Sequence, residues 1–133
     1  MEYRLAEARA PRDASLPATI LRSDEKFLLS GLLQPDERVA AVLRWGGEPY
    51  RVTWVATNRR LVFVERQSRV YRVDDVFYQH VTDVATFHEP GGSRIRLRAR
   101  GLRYGLDGLP REAVEGFEQA LERRLGPAAL RSA

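Results

Sequence analysis

Apolar and polar residues alternate along much of the stretch 39–106, and this period of two predicts β-strands. The clearest run is 94–100, in which apolar side chains would face one way and basic side chains the other. Its basic residues are Arg94, Arg96, Arg98 and Arg100. The run 61–64 is instead apolar at every position, which predicts a strand that is covered on both faces. About seven short strands follow from such runs and from the turn residues between them.

One segment, 76–88, carries two conflicting patterns. Its larger apolar residues recur at helical spacing, but many of its residues are β-branched, and strands are predicted on both sides of it. We interpret it as a strand with a bulge or break near Asp83, which would change the side chains that face inward. The strand before it is predicted at 70–73 and is closed by two aspartates.

The polar corner 57–60 joins two predicted strands. Asparagine suits such a corner, because it accepts left-handed backbone angles and its side chain can bond the backbone two residues on. We therefore expect Asn58 to set the turn. Arg59 and Arg60 are expected to face solvent or to be paired rather than to bind a ligand.

Two helices are predicted to flank the strands. The first spans 16–33 in one or two pieces, with Ser23 as a cap. Its apolar stripe consists of Leu28, Leu29, Leu32 and Leu33. This stripe either packs on the protein's own sheet or provides a surface for self-association or for a partner. The second helix spans 110–125, and its apolar face would cover an open end of the sheets; that face contains Val114, Phe117 and Leu121.

The order of elements predicts a mainly β domain with helices at both ends. Seven antiparallel strands bury their apolar faces by forming a sandwich or a partly open barrel. We divide the chain into an N-terminal arm and helical extension at 1–33, a β domain at 34–126 and a tail at 127–133. A length of 133 residues suits one such domain.

Composition limits the classes of function. There is no cysteine, which excludes disulfides, thiol catalysis and thiolate metal sites and is consistent with a reducing cytoplasm, the location we expect. The N-terminal residues lack the apolar core of an export signal, and no apolar run approaches the length of a membrane span. The formal net charge is +4, and every one of the 22 basic residues except Lys26 is an arginine. Charge of this sign is a first indication of an anionic partner.

No catalytic or metal-binding pattern is present in the sequence. His80 and His88 are the only histidines, and in a straight strand they would be about 26 Å apart, too far to share a metal. The serines lack the surroundings of a nucleophile, and no glycine-rich loop precedes a helix. We therefore predict no catalytic residues, no metal and no cofactor.

Three motifs, in order, resemble the pleckstrin-homology (PH) superfold, specifically small bacterial PH domains related to GRAM domains. They are DERV at 36–39, ATNRRLVF at 56–63 and FYQHVTDV at 77–84. The resemblance covers about 34–126. It implies seven strands in two near-orthogonal sheets, a C-terminal helix over one end and no enzyme activity. It also implies binding of lipid headgroups or peptides, or self-assembly through strand edges.

The candidate binding residues follow from the arginine pattern and from this resemblance. Headgroup-binding PH domains place basic residues in the first hairpin, which here holds Arg44 and Arg51, with Glu48 between them to repel a phosphate. The run 94–100 offers arginines at spacings of about 6.6–7 Å. Its side chains either form a solvated face paired with carboxylates, or bind an anionic membrane, an acidic protein or a nucleic acid. Nucleic acid is the least favoured, because the run has no interleaved aromatic residue.

We therefore predict a non-catalytic binding or assembly module that forms a homo-oligomer or binds a protein partner. The alternative is binding to an anionic membrane or lipid headgroup through the arginine-rich strand.

Overall fold

The computed structural model describes residues 19–125 and 130–132. The helices are α1 (Ser23–Leu32) and α2 (Arg111–Glu122). The strands are β1 (Val39–Gly46), β2 (Tyr50–Thr57), β3 (Arg60–Gln67), β4 (Val70–Phe77), β5 (Val81–Glu89), β6 (Gly92–Ala99), β7 (Leu102–Leu109) and β8 (Leu130–Ser132). A short 3-10 helix at Tyr78–His80 connects β4 to β5. In this part of the chain, no helix has the length and apolar character needed to cross a membrane.

The strands form two four-stranded sheets. Sheet 1 has the order β1-β2-β3-β4, and sheet 2 has the order β7-β6-β5-β8. Seven strands pair antiparallel, and β8 lies parallel to β5 beside Val84, Ala85 and Thr86. The predicted mainly β fold with a C-terminal helix is confirmed, and the two sheets do not close into a barrel.

The main core lies between the sheets and under α2. The rings of Phe63 and Tyr104 stack across it, with centroids 4.3 Å apart. The ring of Phe117 on α2 lies 6.1 Å from that of Trp54. The buried face of α2 consists of Ala113, Val114, Phe117, Ala120 and Leu121. The helix therefore fills the opening between the sheets, as its sequence pattern predicts.

A second apolar cluster lies on the opposite face of sheet 1, under α1. Leu29 packs there against Val55, Val62 and Val64. Because the alternate residues of 61–64 belong to the main core, β3 is covered on both faces, as predicted.

The segment 70–89 differs in part from its prediction. β4 does not end at 73 but continues to Phe77. Asp74 accepts a hydrogen bond from Tyr104, and Asp75 accepts one from Arg60. Partners on both faces of the strand therefore let it continue through two adjacent aspartates. The predicted irregularity near Asp83 is confirmed, because the register of β5 against β6 shifts between Val81 and Asp83.

The start of α1 also differs from its prediction. Ser23 is the first helical residue rather than the cap, and Arg22 occupies the cap position. The backbone N–H of Arg22 donates to Glu25 Oε1 at 2.7 Å, which closes the first turn. The predicted helical residues 16–18 and the arm at 1–15 lie outside the described residues. Of the predicted tail, 130–132 form β8.

The corner before β3 is held by side chains from two residues. Thr57 Oγ1 accepts hydrogen bonds from the backbone N–H groups of Arg59 and Arg60, both at 3.0 Å. Asn58 does not adopt the left-handed conformation. Its Oδ1 accepts from the backbone N–H of Arg38 at 2.7 Å, so it ties the corner to the chain before β1.

Candidate functional site

The outer face of sheet 2 carries a group of arginines that we call the arginine face. It consists of Arg94, Arg96, Arg98 and Arg103. The first three alternate with buried residues along β6, so all three point away from the core. Arg103 lies directly opposite Arg98 in the β6–β7 pair and therefore belongs to the same face.

An aromatic ring lies among these side chains. Phe87 on β5 is the register partner of Arg94. The guanidinium carbon of Arg94 lies 4.6 Å from the centroid of this ring, and that of Arg96 lies 5.6 Å from it. Both distances fall within the range of cation–π attraction, so the ring attracts both cations.

Carboxylates neutralise this face only in part. Arg94 forms a salt bridge of 3.5 Å with Glu89, and Asp83 lies opposite Arg98 in register. In residues 19–125, neither Arg96, Arg98 nor Arg103 forms a salt bridge of its own, and all three are exposed. The face can therefore accept carboxylate or phosphate oxygens from outside the molecule.

Arg100 was predicted to share this face but lies elsewhere. β6 ends at Ala99, and Arg100 occupies the turn with φ of 53°. Its Nη2 donates to the backbone oxygen of Asp75 at 2.9 Å. The turn directs the side chain toward β4, so the extension of the strand pattern to residue 100 was wrong.

Arg44 and Arg51 are buried, so their prediction as part of an exposed anion-binding face was wrong. Arg44 Nη1 donates to the backbone oxygen of Ile20 at 2.8 Å. Arg51 forms ion pairs with Asp24 and Glu25 of α1. The helix therefore supplies the acceptors of Arg51, and the chain just before the helix supplies the acceptor of Arg44.

Asp24 is the centre of the ion pairs under α1. Burial of this carboxyl acts to raise its pKa, but hydrogen bonds from Tyr71 and Arg51 outweigh that effect and lower the pKa. The same hydrogen bond raises the pKa of the Tyr71 hydroxyl. Arg66 also faces Asp24 and pairs with Glu48 at 2.9 Å. These charges join α1 to β2, β3 and β4 and are internal contacts.

A second ion cluster fixes the corner before β3. Glu37 accepts hydrogen bonds from Arg60 Nε at 2.9 Å and from Thr57 Oγ1 at 2.6 Å. Burial acts to raise the pKa of the Glu37 carboxyl, but these hydrogen bonds and one from the backbone of Gln34 lower it to about 2. Arg60 also pairs with Asp75, and Arg59 pairs with Asp36. Both arginines of the corner are thus paired, as predicted.

The leucines predicted as a self-association surface divide into two groups. Leu29 is buried, and Leu28 and Leu33 pack beside it on sheet 1. Leu32 is exposed at the end of α1. The helix therefore uses most of the stripe to cover its own sheet. Phe27, on the same helix, is also exposed.

Acidic residues and histidines do not converge on a metal site in the described ranges. His88 Nδ1 lies 2.7 Å from Ser93 Oγ, and His80 lies in the 3-10 helix between β4 and β5. The carboxylates of the two ion clusters are occupied by arginine, tyrosine and threonine donors.

Comparison with known proteins agrees with the strand order and the C-terminal helix. A family model described as bacterial PH domain matches residues 21–123. The chain belongs to the bacterial PH domain family. The matched span includes α1, and this family is typically non-catalytic.

One solved structure has a similar fold. It is the hSac2 domain from the human phosphoinositide phosphatase Sac2, with 15% identity and a TM-score of 0.52. The match covers 85% of this chain and 90% of the other. At that identity the likeness of this bacterial PH domain to the human domain concerns the fold alone. No curated protein matches the chain.

One residue of the arginine face, Arg103, and the aromatic ring in contact with this face, Phe87, were absent from the sequence prediction of this site. Arg103 alternates with Leu102 and Tyr104, so its strand face was visible, but its proximity to Arg98 depends on the register of the β6–β7 pair. Phe87 becomes a neighbour of Arg94 only through the β5–β6 register, which the shift near Asp83 sets. Both contacts connect different strands, and alternation within one strand does not specify them.

Proposed function

We propose that this bacterial PH domain is a non-catalytic, protein-binding module whose arginine face binds an acidic protein surface. The observation that carries the proposal is the presence of three exposed arginines, Arg96, Arg98 and Arg103, without salt bridges in the described residues. The cysteine-free composition supports the cytoplasm as the place where it acts.

The form of the face favours an ordered, multipoint contact. Guanidinium groups offer planar, two-point hydrogen bonding to carboxylates. Contact of Arg94 and Arg96 with the Phe87 ring limits their motion, which lowers the entropy lost when they bind. A folded acidic surface presents several fixed carboxylates at once. Guanidinium groups whose motion is already limited can bind these carboxylates with a smaller loss of entropy.

An anionic membrane is the second candidate, because the same guanidinium groups can bind phosphate. Peripheral membrane binding usually combines basic residues with apolar side chains that enter the interface. The exposed large apolar residues of the described chain lie on or near α1, β1 and β4 of the other sheet; they are Ile20, Phe27, Leu32, Val39, Val70 and Phe77. Their position supports a protein partner over a membrane.

A binding experiment with two matched variants tests the proposal. A fluorescent glutamate-rich peptide is titrated with the protein at low salt, and its anisotropy is measured. Arg96→Ser with Arg98→Ser should weaken binding about 5- to 30-fold, since two exposed ion pairs contribute about 1–2 kcal/mol. Arg38→Ser with Arg69→Ser removes the same charge from exposed positions elsewhere and should change it less than twofold.

Vesicles distinguish the two candidates. Co-sedimentation with phosphatidylserine vesicles, compared with neutral phosphatidylcholine vesicles, is measured for the same variants. Absence of peptide binding, together with vesicle binding that requires Arg96 and Arg98, would replace the acidic protein by an anionic membrane. Equal loss of peptide binding in both double variants would show that net charge, and not the arginine face, is responsible.

A further inference from the structure

The exposed side of α2 carries glutamates that have no partner within the core. Glu112, Glu115 and Glu122 recur at spacings of three and seven residues, which places them on one side of a helix. The opposite side is the buried face that packs between the sheets. We call these three residues the glutamate face.

Little within the described chain neutralises the glutamate face. Glu115 is 3.4 Å from Arg111 in an exposed pair one helical turn away. Glu112 and Glu122 are exposed and form no salt bridge in residues 19–125. Glu118 lies at the side of this face and accepts a hydrogen bond from Thr86 at 3.0 Å. Arg123 and Arg124 follow the helix, so basic residues bound the acidic surface at the C-terminal end of α2.

The glutamate face and the arginine face match in charge and length. Arg94 and Arg98 are four residues apart on a strand, which corresponds to about 13 Å. Glu112 and Glu122 are ten residues apart on a helix, which corresponds to about 15 Å. Arg103 broadens the arginine face by one strand, about 4.8 Å away from β6. A single helix laid across this face therefore brings several carboxylates to several guanidinium groups.

The two faces cannot satisfy each other within one molecule. The arginine face is the outer side of sheet 2, whereas α2 packs on the inner side of the sheets, and its glutamate face lies on the side of the helix opposite to that packed face. In the described residues, no arginine of the arginine face pairs with a glutamate of α2. Complementary charges of this kind can meet only between separate molecules.

We infer that the acidic partner of the arginine face is the glutamate face of α2 in a second copy of this chain. This inference rests on the proposed function, because it names the acidic surface that the arginine face binds. The contact joins two different surfaces, so each molecule retains one free face of each kind. Such head-to-tail contacts build a ring if the rotation closes and an open filament if it does not.

Complementary variants test this arrangement by light scattering and sedimentation. Wild type at tens of micromolar should show a mass above that of the monomer in low salt and return to the monomer at about 0.5 M salt, because salt screens exposed ion pairs. Arg96→Ser with Arg98→Ser removes one face, and Glu115→Gln with Glu122→Gln removes the other. Each variant alone should be monomeric under the conditions in which wild type assembles.

An equimolar mixture of the two variants gives the decisive measurement. It holds one intact arginine face and one intact glutamate face, so it should form a dimer with twice the monomer mass and no larger species. Circular dichroism spectra equal to that of wild type establish that both variants are folded. Continued assembly of either variant alone, or a mixture that stays monomeric, would overturn the inference.

Measurements of self-assembly and of peptide binding together distinguish failure of this inference from failure of the proposed function. A wild-type protein that is monomeric at low salt, yet binds the glutamate-rich peptide through Arg96 and Arg98, contradicts self-assembly and leaves the protein-binding function standing. A monomer that binds neither the peptide nor a second copy contradicts both.

Discussion

The outer faces of the two sheets carry similar residues and have different surroundings. Sheet 1 presents Arg44, Arg51 and Arg66 on its outer face, and sheet 2 presents the arginine face. On sheet 1, α1 and the hairpin supply Asp24, Glu25 and Glu48 as partners for Arg51 and Arg66, and Arg44 bonds the backbone before α1. On sheet 2, no comparable helix supplies acids to Arg96, Arg98 and Arg103 in the described residues. The number of arginines on a face is therefore a poor guide to binding unless the source of their carboxylates is known.

Among the substitutions that test this contrast between the sheets, Arg51→Met should have the largest effect on stability. This change keeps much of the side-chain volume but leaves Asp24 and the buried Glu25 without their main cation. We expect a loss of about 3–5 kcal/mol in the free energy of unfolding, measured by urea denaturation. The matched change Arg98→Met on sheet 2 should cost far less. A loss below about 1 kcal/mol for Arg51→Met would mean that the ions under α1 contribute little to stability.

The second largest effect is the change in the free energy of unfolding with pH that results from ionisation of Glu37. The pKa of its carboxyl falls from 4.5 to about 2 in the folded protein, so the folded state favours the ionised form. Its contribution of about 2–3 kcal/mol is complete above about pH 5 and is lost as the pH falls toward 2. Urea denaturation between pH 7 and pH 2 should show this decline.

The control for this prediction is Glu37→Gln, which cannot ionise. It should be less stable than wild type at pH 7, and the difference between the two proteins should shrink as the pH approaches 2. A difference that stays constant over this range would exclude ionisation of Glu37 as the cause.

The smallest effect on stability is expected on the arginine face itself. Arg96→Ser removes an exposed side chain that has no salt bridge in the described residues and one contact with the Phe87 ring, so the free energy of unfolding should change by no more than about 1 kcal/mol. Its effect should appear in peptide binding and assembly instead. A stability loss above about 1.5 kcal/mol would indicate that Arg96 supports the fold, and the contrast between the two sheets would then disappear.

The sequence predicts elements better than it predicts contacts between them. Alternation at 94–99, the apolar run 61–64 and the amphipathic pattern of α2 each depend on neighbours along the chain, and each matches the structure. The failure at Arg100 has a local cause, since a turn with positive φ interrupted the alternation.

The sequence predicts the candidate site less well than it predicts the strands and helices, because burial of a charged residue depends on partners that are distant in the chain. Arg51 appears in the sequence as a hairpin arginine like those of headgroup-binding PH domains. Its burial results from Asp24 and Glu25, which lie more than 20 residues earlier and reach it only when α1 docks on sheet 1. In the same way, Arg103 joins the arginine face only through strand pairing.

The double coverage of β3 has a consequence for the time scale on which the molecule opens. Its backbone pairs with β2 on one edge and β4 on the other, while one set of its side chains belongs to the main core and the other packs beneath α1. Fraying of a terminus, or transient release of α1, leaves the amide hydrogens of 61–64 still bonded. Their exchange with solvent deuterium therefore requires the whole molecule to unfold. The exchange rate of the β3 amides thus reports the free energy of global unfolding.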